Sequence, residues 1–449
     1  MTTVSLAETA PARADRAASF YRAVWRWHFY AGLLTLPFLI LLALTGGLYL
    51  FRAELDGLIH RDLKQVEIRA SAMAAPSALV ANALAAIPGQ AVKFTAPETP
   101  AASAEVTIRA ADGARKVAYL DPYDGRVLGE LPDKGTVMWI VRQIHSLAYF
   151  GPVANGVIEI VGGWAILLVL TGLFLWWPRG RSGGVVSVRG DAGKRVFWRD
   201  LHAVTGAFVG LFIVFLAVTG MPWSVFWGDQ VNRWANGHNF GYPAGVRVAV
   251  PMSEEHLHHA GPTSWSLEQA QVPESVAKAD GPIGLDAAVA KFDALGLTPG
   301  YAVNLPSSPS GVYTGSVYPK DLSRQRVIHL DQYSGEALLD MSYADYGPLG
   351  KALEWGINVH MGQEFGLANQ LLMLAVCLSI ILLAVSAAVM WWKRRPSGSL
   401  GVPPLPPNKA TLYGVFAILA IGGVIFPLVG LSLLAMLALD RLFWPAARA

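Results

Sequence analysis

Four histidines stand at matched offsets in the two halves of this chain, so whatever the first half folds into, the second must repeat. His28 precedes Thr45-Gly46 by 17 residues, and His202 precedes Thr219-Gly220 by 17. His145 precedes Phe150-Gly151 by five residues and Trp176-Trp177 by 31; His360 precedes Phe365-Gly366 and Trp391-Trp392 by the same intervals. A fixed internal offset of this kind marks a duplicated structural unit.

The histidines lie on or beside apolar runs near 28–51, 155–177, 203–227, 367–392 and 410–439. Each run can cross a hydrocarbon core of ~30 Å, which takes about 20 helical residues. Trp27, Tyr49, Trp176, Trp177, Trp223 and Trp391 gather at their ends, as amphipathic rings do at headgroup level. A mean hydropathy of +0.39 with 15% charged residues excludes an ordinary soluble enzyme. Arginines and lysines cluster before the first run, after the second (Arg179 to Arg199) and after the fourth (Lys393 to Lys409), which predicts that these segments face the cytoplasm. The long segments 52–139 and 228–356 then lie outside; with 18 basic and 25 acidic residues between them, they lack the basic bias. The first run has no small-residue cleavage motif, so it is expected to be retained as a span and not removed as a signal peptide. Cys377 is the only cysteine, which excludes an internal disulfide, a thiolate cluster and a covalent haem link. The net charge of +3 comes from the basic loops and gives no reason to expect nucleic acid.

The expected organisation is an N-terminal arm (1–27), a span (28–51), an outer domain (52–139), a span with an outer extension (140–177) and a basic loop (178–201). The unit then repeats as a span (202–227), a second outer domain (228–356) and a span with an outer extension (357–392). A Pro-rich linker (393–409), a fifth span (410–439) with no counterpart in the first half, and a tail (440–449) complete it. Each outer domain reads as a small α+β module. The first has a helix from Pro76 to Ile87 and strands Val92–Thr95, Glu105–Arg109 and Lys116–Leu120. The second has a helix from Leu285 to Leu295 and strands Ala302–Leu305, Val312–Tyr318 and Gln325–Leu330. Both close on an Asp-x-Tyr-x-Gly turn, at Asp121–Gly125 and Asp331–Gly335, where glycine supplies φ > 0.

These motifs resemble the PepSY-associated transmembrane family. They are Trp-Arg-Trp-His28 with Thr45-Gly46, and His145 through Leu170-Thr171-Gly172 to Trp176-Trp177-Pro178-Arg179. The second copy has Trp198-Arg199-Asp200-Leu201-His202 with Thr219-Gly220, and His360 through Trp391-Trp392-Lys393-Arg394-Arg395. The resemblance covers about 20–395 and implies an α-helical polytopic membrane protein with a duplicated span–PepSY–span unit, two PepSY-like periplasmic domains and an extra C-terminal span. It further implies a bacterial inner-membrane ferric-siderophore reductase carrying haem b, about two per chain, with a cytoplasmic N-terminus.

Under that resemblance His28, His145, His202 and His360 are the axial ligands. Imidazoles from different helices can clamp one haem between them. Pairing His28 with His202 and His145 with His360 follows the repeat, but the spacings leave other pairings open. Thirty-one helical residues from His145 to Trp176 would span about 46 Å, more than the core, so a break is expected, for which Gly151-Pro152 is suited. Gly46, Gly47, Gly172 and Gly220 serve either helix packing alone or packing plus a flat cofactor; Ser386-Ala387 in place of Thr171-Gly172 departs from the repeat. Arg142 is the candidate partner for a haem propionate, whereas Arg26 and Arg199 are accounted for by the cytoplasmic charge bias. His256, His258 and His259 could bind a metal but read better as a solvated loop, and His60 and His329 as structural. Nothing resembles a flavin or nicotinamide site, so a separate electron donor is expected, a quinol or a cytoplasmic flavoprotein. The rival expectations are a non-enzymatic PepSY protein for peptidase inhibition or sensing, and a permease component for iron or copper.

Overall fold

The computed structural model describes residues 10–180, 183–228, 230, 234, 252–256, 271–278, 281–398, 400–403 and 409–443. Helix α1 (Ala10–Tyr49) leads to short helices α2 (Arg52–Ile59) and α3 (Arg61–Lys64), then α4 (Pro76–Ala86). Strands β1 (Gly89–Thr95), β2 (Ala104–Ala110), β3 (Arg115–Leu120) and β4 (Val127–Pro132) follow, then helices α5 (Val137–His145), α6 (Pro152–Trp176) and α7 (Arg195–Gly220). Beyond β5 (Met252–His256) and β6 (Gln271–Pro273), the order of one helix and four strands returns as α8 (Gly284–Ala294), β7 (Ala302–Asn304), β8 (Val312–Val317), β9 (Arg326–Asp331) and β10 (Ala337–Ser342). Helices α9 (Pro348–His360), α10 (Gly366–Arg394), α11 (Lys409–Ile425) and α12 (Pro427–Phe443) close the described chain. Contacts divide the protein into a helical unit (1–47, 144–229, 371–449) and a sheet unit (48–143, 230–370).

In the sheet unit, the two expected modules are not separate domains. Their strands form one eight-stranded sheet in the order β10-β9-β8-β7-β1-β2-β3-β4, every neighbour antiparallel. The junction is β1 on β7, with Phe94 opposite Val303. These are counterpart strands of the repeat, and each would otherwise present an open edge of unpaired amides and carbonyls. The join also lets two small modules share one core. Leu79 and Ala83 of α4, Ala288 and Phe292 of α8, and Phe94, Ile108, Val303 and Ile328 of the sheet are at most 2% exposed. Strands β4 and β10 lie beyond the sequence-based expectation, because as half-exposed edges they lack a run of buried apolar residues. The two Asp turns form as expected: Asp121 and Asp331 accept from the amides of Tyr123 and Tyr333 at 2.9 Å, with Gly125 at φ +71° and Gly335 at +68°.

Among the described residues, four helices are long and apolar enough to cross a membrane: Ala18–Tyr49, Pro152–Trp176, Arg195–Trp223 and Gly366–Arg394. The expected arm 1–27 is corrected, since α1 is helical from Ala10 and carries the first span back to Ala18. The expected breaks are present. Between His145 and Pro152 the backbone turns through Leu147 (φ +54°) and Gly151 (φ +97°). After His360 it turns through Gly362 and Gly366, so glycine does there what Gly-Pro does in the first copy.

The fifth span, expected over 410–439, is corrected to two helices that fold back on each other at Pro427. A Cβ on Gly423 would stand 2.7 Å from the Gly430 Cα, a closeness that residues seven apart in a straight helix, about 10 Å along its axis, could not reach. Each helix has 17 residues, about 26 Å of axial length, short of a full core crossing. Proline supplies no amide for the helix ladder at the turn, and paired glycines let the two backbones touch. Leu419 of α11 and Val429 and Leu433 of α12 pack with Trp27 and Trp164, and Trp164 donates its indole N–H to Ser432 at 2.9 Å.

Candidate functional site

The helical unit holds a cleft of about 340 Å³ between α1, α6, α7 and α10, within the range of small cofactor sites. His28 and His202 line it, brought together from sequence positions 174 apart; their ring centroids stand 6.4 Å apart at 81° between planes. Close packing of α7 on α6 and on α10 holds this frame: a Cβ added at Gly210 would meet Val169 of α6 at 3.0 Å, and one at Gly206 would meet Leu383 of α10 at 3.3 Å.

Each ring is anchored through Nδ1. His28 Nδ1 lies 2.9 Å from the Thr171 hydroxyl, and His202 Nδ1 lies 3.1 Å from the Leu383 carbonyl oxygen and 3.5 Å from the Ser386 hydroxyl. His145, at the end of α5, is anchored in the same way by Thr45, 2.9 Å from Nδ1. The Thr-Gly motifs therefore act across helices. The motif on α6 seats the histidine of α1, and the motif on α1 seats the histidine of α5. The glycine of each lies against the ring: a Cβ at Gly172 or Gly46 would come within 3.3 Å of the Cε1 of His28 or His145. Ser386 keeps a hydroxyl at the offset of Thr171 but donates it to the Leu383 carbonyl at 2.9 Å, so at His202 the main-chain carbonyl takes the threonine's place.

The cleft was tested for a metal-bearing ring held by two imidazoles. A nitrogen ligand stands about 2 Å from a transition metal and about 1 Å from its own ring centroid, so two rings clamping one metal stand about 6 Å apart. The observed 6.4 Å fits. The rest of the wall is mainly apolar, including Leu36, Leu39, Val169 and Ile213, with Arg195 and Arg199 at the α7 N-terminal end, suited to carboxylates. These residues fit a haem with two propionates. Arg199 also pairs with buried Asp200 at 2.5 Å, and Asp200 takes Arg189 at 2.7 Å.

His360 closes α9 in the sheet unit. Arg142 lies with its guanidinium 4.6 Å from the Trp139 ring centroid. Arg26 bonds the Pro403 carbonyl and the Tyr30 hydroxyl. His60 Nε2 accepts from the Val137 amide at 3.2 Å, a structural role. His256 ends strand β5, where a loop was expected; His258 and His259 lie outside the described residues. Among the described residues no group of three or more His, Cys, Asp or Glu is placed to hold a metal ion. Glu159, 1% exposed on α6, accepts from the amides of Phe226 and Trp227 at 3.0 and 3.1 Å.

Sequence reasoning missed Arg195, and Thr171 as an anchor. The hydroxyl shared by Thr171 and Ser386, each 26 residues after a repeat histidine, was the available signal. The Leu383 carbonyl carried none. No curated protein matches this chain. The family model described as the PepSY-associated TM region covers residues 25–394 of the 449, and the protein belongs to that family.

Proposed function

We propose that this protein is a haem b oxidoreductase of the bacterial inner membrane that passes electrons outward to reduce ferric chelates, siderophore complexes among them, for iron release. The observation that carries the reading is the His28–His202 pair: two imidazoles from different spans, each tied down at Nδ1, facing across an apolar cleft at a separation that suits one metal between them. A bound haem would supply one-electron transfer. His28 and His202 hold and orient it, Arg195 and Arg199 take its propionates, and the apolar wall keeps water away. The charge bias of the loops supports placing this cleft towards the cytoplasmic side, where a quinol or flavoprotein donates. His145 and His360 are proposed to hold a second haem on the outer side. The sheet unit, read as two fused PepSY modules, would receive the chelate. With both imidazoles engaged in holding the group, a bound haem would supply an electron to the chelate without binding it.

For the permease reading, the buried acid Glu159 offers a carboxylate whose Oε2 is engaged by two backbone amides. The test is a reduced-minus-oxidised spectrum of the full chain in mild detergent, with a pyridine haemochrome assay. About two b haems per chain are expected, with one lost in His28→Ala or His202→Ala. Vesicle-reconstituted protein given a reductant inside should then yield trapped ferrous iron outside. No haem in protein expressed with haem supply would overturn the reading and leave a non-enzymatic PepSY membrane protein.

A further inference from the structure

The hydrogen-bond partners of the three anchored imidazoles point to the ring nitrogen that carries the proton. Thr171 Oγ1 lies 2.7 Å from the Leu167 carbonyl oxygen, one turn back on its own helix. A carbonyl only accepts, so the hydroxyl proton is committed there, and the same oxygen must accept from His28 Nδ1. Thr45 repeats the arrangement, with its hydroxyl 2.6 Å from the Leu41 carbonyl and its oxygen facing His145 Nδ1. At His202 the acceptor is the Leu383 carbonyl itself. Ser386 also gives its proton to that carbonyl, at 2.9 Å, and so cannot donate to the ring. A neutral imidazole with its proton on Nδ1 has its lone pair on Nε2, and a charged ring inside a span, where His28 and His202 lie, is costly.

We propose that Thr171, Thr45 and the Leu383 carbonyl are positioning groups that lock His28, His145 and His202 in the Nδ1–H form, so that each offers Nε2 as the metal ligand. This rests on the haem reading for its purpose, though not for the tautomer. Backing a metal-bound imidazole with an acceptor raises its basicity and fixes its orientation. The two rings of the inner pair are backed differently. His28 leans on a hydroxyl that is itself donating to a carbonyl, a two-link chain in which each bond polarises the next. His202 leans on a carbonyl directly, which makes Ser386 dispensable for its tautomer.

The test uses Thr171→Val, which keeps the shape and removes the acceptor, against Thr171→Ser, which restores it, with Ser386→Ala as the silent control. In the full chain loaded with haem, T171V should change the ferric-over-ferrous preference of one haem by about ten-fold, or about 59 mV for one electron. T171S and S386A should stay at the wild-type potential. Nitrogen chemical shifts of histidine-labelled protein without haem give a second readout: the His28 ring should show a protonated Nδ1 in wild type and T171S, and lose that preference in T171V. Should T171V not fold, T45V against T45S asks the same question at His145. A wild-type potential and wild-type shifts in T171V, or an S386A shift as large as that of T171V, would overturn the proposal. Haem-free wild-type protein would instead sink only the haem reading, because the nitrogen shifts still decide the tautomer.

Discussion

His329 gives the sheet unit a pH dependence that can be worked out in advance. It sits on β9 at 0% exposure, with Nδ1 2.9 Å from the Thr314 hydroxyl and Nε2 without a hydrogen-bond partner among the described residues. Burial alone lowers its pKa from 6.5 to about 3. The unfolded chain therefore takes up a proton near pH 6.5 while the folded sheet refuses it until about pH 3. Between those values the unfolded state binds more protons, so stability falls as pH falls. The full contribution is present above the unfolded value and is lost progressively down to the folded one. At about 1.4 kcal/mol per unit, lowering the pH from 7 to 5 costs about 2 kcal/mol from this one group, and the ceiling over the whole window is about 5 kcal/mol. The assay is denaturant unfolding of wild type and His329→Gln at pH 7, 6 and 5, followed by hydrogen exchange of the β8 and β9 amides. Gln keeps a partner for Thr314 and has no proton to gain. Taking the difference between the two proteins cancels the carboxylates, including Glu105, which burial pushes up and whose own contribution has the opposite sign. The variant should lose the slope between pH 7 and 5. An equal slope in both proteins would refute the assignment of a buried neutral imidazole.

Three further outcomes follow from the packing. Gly172→Val places a branched side chain where even a Cβ would stand 3.3 Å from His28 Cε1; haem content should fall by about half if the ring leaves Thr171, and full content would refute the seat. Phe292→Ala, at a site with no exposure and with Gly315 against the ring, should cost the sheet about 3–5 kcal/mol by denaturant midpoint, because the helix above it cannot collapse into the space without disturbing β8. Ser432→Ala strands the Trp164 indole N–H, which is 1% exposed as a side chain. Thermal unfolding in detergent should register about 1–3 kcal/mol, part of it recovered by also changing Trp164 to Phe.

The apolar runs, the duplication and the turn chemistry are properties of local sequence, and they were legible because each follows from a short-range rule. About 20 apolar residues make a span, a shared offset makes a repeat, and Asp with Gly makes a turn at Asp121 and again at Asp331. The matched offsets of the histidines were legible for the same reason. What the sequence could not state was which residues meet. The fusion of two modules into one sheet depends on β1 finding β7 across more than 200 residues, a choice driven by edge pairing and a common core. The reversal at Pro427 depends on Gly423 and Gly430 touching, whereas periodicity alone reads an unbroken apolar run as a single span. The state of each imidazole was decided furthest from the sequence. Whether a histidine presents Nε2 depends on a threonine 143 residues away, or on a main-chain carbonyl 181 away, whose identity no side-chain pattern encodes. Local patterns determine which helices and strands exist, because those energies are summed over neighbours in the chain; the site is set by single directional hydrogen bonds, which exist only once the helices are packed.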